Sequence, residues 1–175
     1  EVSRRGARVI VEFGSGLSTM ALAIHALRTG ALVVSYEHKK EWADMIRTQL
    51  EKVGAGHIVD VRDAALVEQT HFGITSVSYD VKDAPSGIDF VFIDALKHEY
   101  GAYVEAVADR LVPGAMIVAD NVLWSGRVSG TRPAPSGDAS VAALRAFSTA
   151  ILADPRFAAT ILPVGDGILI ARWLG

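Results

Sequence analysis

The chain of 175 residues contains no cysteine, which excludes a disulfide scaffold, a thiolate zinc site and a thiol nucleophile together. Any metal must be held by oxygen or imidazole. A surplus of positive charge is also missing: 17 Lys and Arg stand against 20 Asp and Glu, for a net charge of −3, and the basic residues are scattered. The electrostatic footprint of a nucleic-acid binder is therefore absent, and small molecules become the expected partners. Long apolar runs are lacking too, since Arg28, Asp94 and Asp120 interrupt the candidates short of the roughly 18 residues of a membrane span. Glu1 to Arg8 carries three arginines but has neither the apolar stretch nor the small-residue cleavage site of a secretion signal. A cytoplasmic protein that does not meet a membrane is the expectation. Beginning at Glu rather than Met, the chain reads as a fragment.

What is present is an ordinary globular balance, 50% hydrophobic against 21% charged, in a length that predicts one domain. Arg8 to Phe13 (RVIVEF) is a short β-branched run that stops at Gly14, the mark of a strand buried on both faces. After the small-residue turn Gly14 to Gly16, Leu17 to Leu27 has helical spacing and ends at Thr29 and Gly30, a C-cap signal. Ala31 to Tyr36 is a second buried strand, Lys39 to Val53 an amphipathic helix closed by Gly54, and His57 to Val61 a third strand. Between Asp63 and Gly87 a short helix is expected, then a stretch, GITSVSYDVKDAPSG, that fits a hairpin or a loop.

Ile88 to Ile93 predicts a fourth strand, His98 to Leu111 a helix, Pro113-Gly114 a turn and Ala115 to Ala119 a fifth strand. A loop over Ser125 to Asp138 precedes a helix to Ala153, and the runs Phe157 to Val164 and Ile168 to Trp173 flank Gly165-Asp166-Gly167, a hairpin signal. The expected fold is α/β: one doubly wound, Rossmann-like, seven-stranded sheet over residues 1–175, mostly parallel with a C-terminal antiparallel hairpin.

Ligands of such sheets bind outside the carboxyl ends of the strands, and each of the first five strands ends in or near an acid: Glu12, Glu37, Asp63, Asp94 and Asp120, the last followed by Asn121. A glycine turn before a helix admits a ligand to the backbone, and an acid ending the second strand can accept hydrogen bonds from both ribose hydroxyls. Gly14, Gly16 and Glu37 thus point to a nucleoside. The alternative for the turn is a plain tight strand-to-helix connection, which Glu37 disfavours. A dinucleotide is disfavoured because Thr19 replaces the third glycine of GxGxxG and Glu12 would repel a pyrophosphate. A nucleoside with a cationic end, as in S-adenosylmethionine, fits better. In the second constellation, Asp94, Asp120 and Asn121 suit a hard dication such as magnesium, beside which Lys97 could act as a base. The alternative is that both Asp residues merely cap helices and loops, with Lys97 solvated. The histidines and Trp42 and Trp173 read as packing or surface residues.

The strings IDFVFIDALKHEY, LVPGAMIVADNVLWSGRV and ILPVGDGILIARW, under half of the chain, resemble the cation-dependent O-methyltransferases, the family of catechol and caffeoyl-coenzyme A methyltransferases. The resemblance implies S-adenosylmethionine as cofactor, a divalent cation on Asp94, Asp120 and Asn121, Lys97 as general base, and Trp124 in the pocket of a catechol-like acceptor. It further implies that Asp94 meets the methionine end of the cofactor, Glu37 its ribose and Asp63-Ala64 its adenine, with Ser15 and Ser18 as contacts from the glycine loop. It also implies a homodimer.

Three departures stand out: the glycine loop, EFGSGLS, is two residues shorter than the family's ExGxxxGxS; Leu96 stands where the family often has a polar residue; and only seven residues precede Arg8, where the family carries N-terminal helices. Two competing readings are a non-catalytic S-adenosylmethionine-binding or oligomerisation module, and a nicotinamide-dependent oxidoreductase.

Overall fold

The structure, a computed structural model, describes residues 6–71 and 74–175, excluding the side chains of His71 and Ile74. Gly73, which opens the ambiguous stretch, and the packing role expected of the His71 ring lie outside the described residues. Strands β1 (Val9–Phe13), β2 (Leu32–Glu37), β3 (Val59–Asp63), β4 (Leu66–His71), β5 (Ile74–Tyr79), β6 (Ile88–Ile93), β7 (Leu111–Ala119), β8 (Phe157–Leu162) and β9 (Ile168–Trp173) alternate with helices α1 (Leu17–Thr29), α2 (Lys40–Lys52), α3 (Tyr100–Ala108) and α4 (Ala139–Ala153).

The main sheet has seven strands in the order β3-β2-β1-β6-β7-β9-β8. The first five are parallel, and β9 runs antiparallel between β7 and β8. Strand period explains the double winding: Ile10, Val33 and Phe90 pack with Leu22, Ala26, Ile46 and Leu50 on one face. Their neighbours Val11, Val34 and Val91 pack with Tyr103, Val104 and Leu144 on the other. A strand apolar at consecutive positions must be covered twice. In α2 the buried residues Ala43, Ile46 and Leu50 recur at helical spacing. Helix α1 ends where Gly30 turns left-handed at φ 73° and donates to the Ala26 carbonyl at 2.8 Å.

Four expectations are corrected. Strand β3 begins two residues later than His57, at Val59. Among the described residues between Asp63 and Gly87 no helix forms; β4 and β5 pair instead as a separate two-stranded antiparallel sheet. The β-branched residues Val67, Thr70, Thr75 and Val77 favour extended backbone, and Thr70 and Thr75 face each other with hydroxyls 2.8 Å apart. The helix expected from His98 starts at Tyr100, after a 3-10 turn over Lys97–Glu99, and ends at Ala108. The fifth parallel strand starts at Leu111, with the Pro113-Gly114 turn inside it as a bulge, because Ile88 opposes Leu111 while Phe90 opposes Met116. Proline cannot donate to the ladder, so its strand parts from β6 there.

Chain order reverses between β1 and β6, which places the crevice of the fold at their carboxyl ends. Pairing continues one residue past each strand: Ala64 donates to Glu37, Gly14 to Tyr36, Asp94 to Phe13 and Asp120 to Ile93, at 2.8, 3.0, 2.9 and 3.0 Å. This draws the acids into one row along the sheet edge. Gly14 has φ 92°, and a Cβ there would overlap the Asp94 carbonyl oxygen. Gly14→Ala should cost more than about 2 kcal/mol in urea unfolding, against about 1 kcal/mol for Gly30→Ala, which meets nothing within 4 Å. Equal losses would contradict a close β1–β6 approach at Gly14.

Candidate active site

A cavity of about 240 Å³ opens at the crevice between Gly14-Ser15, Glu37-His38 and Asp94-Leu96, with Trp42 and Tyr79 among its walls. Glu37 is nearly buried; its Oε1 accepts from the Lys39 amide at 2.9 Å, and its Oε2 lies 3.5 Å from the Ser15 hydroxyl. The second contact is long enough to yield to a ligand hydroxyl. His38 Nδ1 sits 3.4 Å from Glu37 and 3.1 Å from the Tyr79 hydroxyl, which links the hairpin to the cavity. Trp42, expected as a packing residue, is instead 50% exposed, because it stands in the first turn of α2, facing the cavity rather than the sheet. Trp173 does pack, edge-on to Phe157.

Beneath the turn, Glu12 is fully buried and accepts from Thr19 at 2.5 Å and Ser35 at 2.6 Å through Oε2, while Oε1 makes no hydrogen bond. Burial raises its carboxyl above the usual range, against the opposing pull of the Ser18, Ser35 and Thr19 hydroxyls. A charge-based exclusion of pyrophosphate by Glu12 is thereby weakened. Thr19 remains: at the third glycine position it accepts from the Gly16 amide at 2.9 Å and ties the turn to Glu12. Asp63 and Ala64 are not among the residues around the cavity. The Asp63 carboxylate pairs with Arg47 at 2.9 Å, and the Ala64 amide serves Glu37.

Beyond Asp94 the second constellation converges. Lys97 Nζ donates to Asp94 Oδ1 at 3.1 Å, Asn121 Oδ1 at 3.0 Å and the Tyr100 hydroxyl at 2.5 Å. The solvated lysine of the alternative reading is corrected: the Lys97 side chain is 7% exposed. Tyr100 in turn donates to the Asp120 carbonyl at 2.9 Å. Asp120 Oδ1 accepts from the Asn121 amide at 2.6 Å, and Asn121 takes φ 57°, a conformation uncommon for residues other than glycine, as the chain leaves β7. Trp124, also at positive φ, donates from Nε1 to Asp138 at 3.0 Å, and its ring lies 5.7 Å from Lys97 Nζ. Among the described residues no group of three His, Cys, Asp or Glu is placed to hold a metal; the oxygens that gather around Lys97 Nζ come from Asp94, Asn121 and Tyr100, and Asp120 joins them through its carbonyl.

Several of these residues were not anticipated. Tyr100 follows Lys97 by three, one helical turn on, a usable signal; His38 adjoins Glu37; Tyr79 depends on a hairpin that the pattern left open. Glu99, fully buried, accepts a short hydrogen bond from Tyr103. Burial pushes its carboxyl up to about 7, with the nearby Glu37 charge adding to the rise.

A doubly wound sheet with a nucleoside-sized cavity at its switch point, flanked by an oxygen-rich cluster around a buried lysine, defines a class of small-molecule α/β enzymes. The chain belongs to the O-methyltransferase family, whose model matches residues 2–174. It is 33% identical to tricin synthase 1 of Oryza sativa subsp. japonica over 174 residues, 97% of this chain and 68% of that protein. It is likewise 33% identical to a caffeoyl-CoA O-methyltransferase of Mesembryanthemum crystallinum, over 95% of this chain and 65% of that protein. The chain thus spans about two thirds of the length of these relatives. Among solved structures, the SAH-bound Podospora anserina methyltransferase PaMTH1 superposes with a TM-score of 0.80 at 27% identity, covering 99% of this chain and 75% of that one. The Bacillus cereus O-methyltransferase in complex with SAH gives 0.76 at 31% identity, covering 98% and 76%. No helix among the described residues is long and apolar enough to cross a membrane.

Glu99 has a stability consequence. Its folded-state pKa of about 7 lies above the ordinary 4.5, so its contribution is fully present at the acid end and is lost as pH rises through 7. The urea midpoint should fall between about pH 5 and about pH 8, and Glu99→Gln should flatten that fall and raise stability at the alkaline end by on the order of 1 kcal/mol. An unchanged pH profile in Glu99→Gln would show that Glu99 ionises normally.

Proposed function

We propose that this chain carries the catalytic core of an S-adenosylmethionine-dependent O-methyltransferase that methylates a hydroxyl of a small catechol-like acceptor with the help of a divalent cation. The observation that carries the reading is the single point at which Asp94, Lys97 and Asn121 meet, next to a nucleoside-sized cavity that shares Asp94. The residues fit the cofactor: Glu37 offers carboxylate oxygens to ribose hydroxyls, Trp42 and Leu96 offer apolar faces to adenine, and the Asp94 carboxylate, 42% exposed, offers a counter-charge to the ammonium end. Support also comes from the SAH in the two related structures. The oxygens fit a hard dication, since those of Asp94 and Asn121 already serve one cation, the Lys97 ammonium. The acceptor class draws on relatives named for caffeoyl-CoA, whose caffeoyl group is a catechol.

A phenol of pKa near 10 is protonated at neutral pH, and bringing it to 7 requires about 4 kcal/mol of preferential stabilisation of the anion. A bound dication supplies that stabilisation as a Lewis acid. Lys97 Nζ is the atom placed to take up the hydroxyl proton, and Trp124 walls the acceptor side of that nitrogen. Glu37 and Asp94 hold the cofactor so that the acceptor oxygen attacks the methyl carbon in line as the carbon–sulfur bond breaks, leaving S-adenosylhomocysteine. Tyr100 and the Asp120 carbonyl keep the lysine anchored to the loop that follows β7.

Transfer of labelled methyl to catechol should require magnesium and stop with chelator. In Asp120→Ala it should fall about 100-fold or more, while affinity for S-adenosylhomocysteine stays within about twofold. Equal loss of turnover and cofactor affinity would contradict this division between the two constellations.

A further inference from the structure

Arg47, Arg62, Arg110, Arg127 and Arg156 are the partly buried arginines among the described residues. All but one commit their guanidinium donors inside the protein: Arg47 to Asp63, Arg62 to Asp60, Arg110 to the Ala84 carbonyl and Arg156 to Asp154. Arg127 differs. Among the described residues its guanidinium donates no hydrogen bond, and the carboxylate on which its charge acts, Asp138, has both oxygens taken, by Trp124 Nε1 and by the Ser140 amide, each at 3.0 Å. A partly desolvated guanidinium without an acceptor is destabilising until a ligand supplies one. The loop around it is well held. Its amide donates to the Trp124 carbonyl at 3.0 Å, its carbonyl accepts from Arg145 Nη2 at 3.2 Å, and Arg145 Nε donates to the Val128 carbonyl at 2.9 Å. The backbone is fixed from α4 while the side chain is left unclaimed.

The indole of Trp124 connects this arginine to the reacting centre, since its ring lies 5.7 Å from Lys97 Nζ and its Nε1 meets Asp138. We propose that Arg127 binds an anionic substituent of the acceptor, so that the preferred substrate is a catechol carrying a carboxylate rather than a neutral one. This rests on the O-methyltransferase reading above and narrows its acceptor class. With one hydroxyl at Lys97 Nζ and the ring along Trp124, the substituent on the far side of the ring extends to Arg127. The planar guanidinium matches a carboxylate with two parallel hydrogen bonds, and an acceptor held at both ends presents one hydroxyl to the methyl group in preference to the other. Arg132, an exposed arginine of the same loop, lines a different hollow with Ser125, Gly126 and Asp166, and serves as the control.

The test compares 3,4-dihydroxybenzoate with its uncharged counterpart 3,4-dihydroxybenzamide, which have nearly the same shape and differ in charge. Methyl transfer to each is measured with the wild type, Arg127→Gln, Arg127→Lys and Arg132→Gln. The acid-to-amide ratio of kcat/KM should fall about tenfold in Arg127→Gln, through KM of the acid, and by less in Arg127→Lys, which keeps the charge without the fork. Arg132→Gln should leave the ratio as it is. Calorimetric titration with acid and amide, in the presence of S-adenosylhomocysteine and magnesium, should show the same roughly tenfold change in relative affinity without any turnover.

An acid-to-amide ratio that Arg127→Gln leaves unchanged overturns the assignment, while methylation of both acceptors leaves the broader reading standing. A fall in Arg132→Gln instead of Arg127→Gln overturns it too, since the anion would then lie in the other hollow. Absence of both methyl transfer and S-adenosylhomocysteine binding removes the methyltransferase reading together with the assignment. If S-adenosylhomocysteine binds and neither acceptor is methylated, the calorimetric ratio decides by itself. Thermal melting verifies that each variant is folded, as expected for side chains without hydrogen bonds inside the protein.

Discussion

Gly14 pressed against the Asp94 backbone is the contact on which the site depends. It sits where chain order reverses, at the paired ends of β1 and β6, and it permits the ladder to run one residue further than the strands. That extra residue sets Asp94 beside the glycine turn and Asp120 beside Asp94. One acid, Asp94, therefore belongs both to the cavity and to the lysine cluster. In the proposed reaction a methyl donor and an acceptor hydroxyl meet at one point, and a shared residue at a switch point is a way for a sheet to provide it.

Around this row the acids are made unequal by their surroundings. Glu12 and Glu99 lie in the interior, where burial raises their carboxyls and favours the neutral form. Asp94 is partly open and meets an ammonium, and Glu37 is held by the Lys39 amide at the cavity wall. Charge is thus concentrated where a cationic cofactor end and a metal would be placed, and withdrawn from beneath. Glu12 and Glu99 contribute stability that declines as pH rises, because burial favours their neutral form.

The parts of the fold legible in the sequence were those governed by local chemistry. Two-faced strands such as RVIVEF and IDFVFI, the Gly30 cap and the Gly165-Asp166-Gly167 hairpin each carry a one-segment reason, and each is found. The acids at the strand ends were legible because parallel sheets place strand termini together. The β4–β5 hairpin was only partly legible: a hairpin was one of two readings left open for GITSVSYDVKDAPSG, but the segment before it was expected to be helical, and cross-strand pairing is a non-local fact. Trp42 and His38 escaped for a related reason: whether an aromatic in a first helical turn faces core or cavity depends on how α2 sits on the sheet. Tyr100 was hidden by burial, a tyrosine among apolar helix residues looking like packing until its hydroxyl is seen between Lys97 and Asp120. Asp63, by contrast, is taken up by Arg47, a partner on another element that no spacing announces.

The proposed function requires the cavity at the switch point to take an adenosine with a sulfur-bearing amino-acid end rather than a dinucleotide. Calorimetric titration of the folded chain with S-adenosylhomocysteine, and separately with NAD, tests it directly. Micromolar binding of the first, about −8 kcal/mol, and no heat from the second are expected. Binding of NAD, with none of S-adenosylhomocysteine at several temperatures, would contradict it.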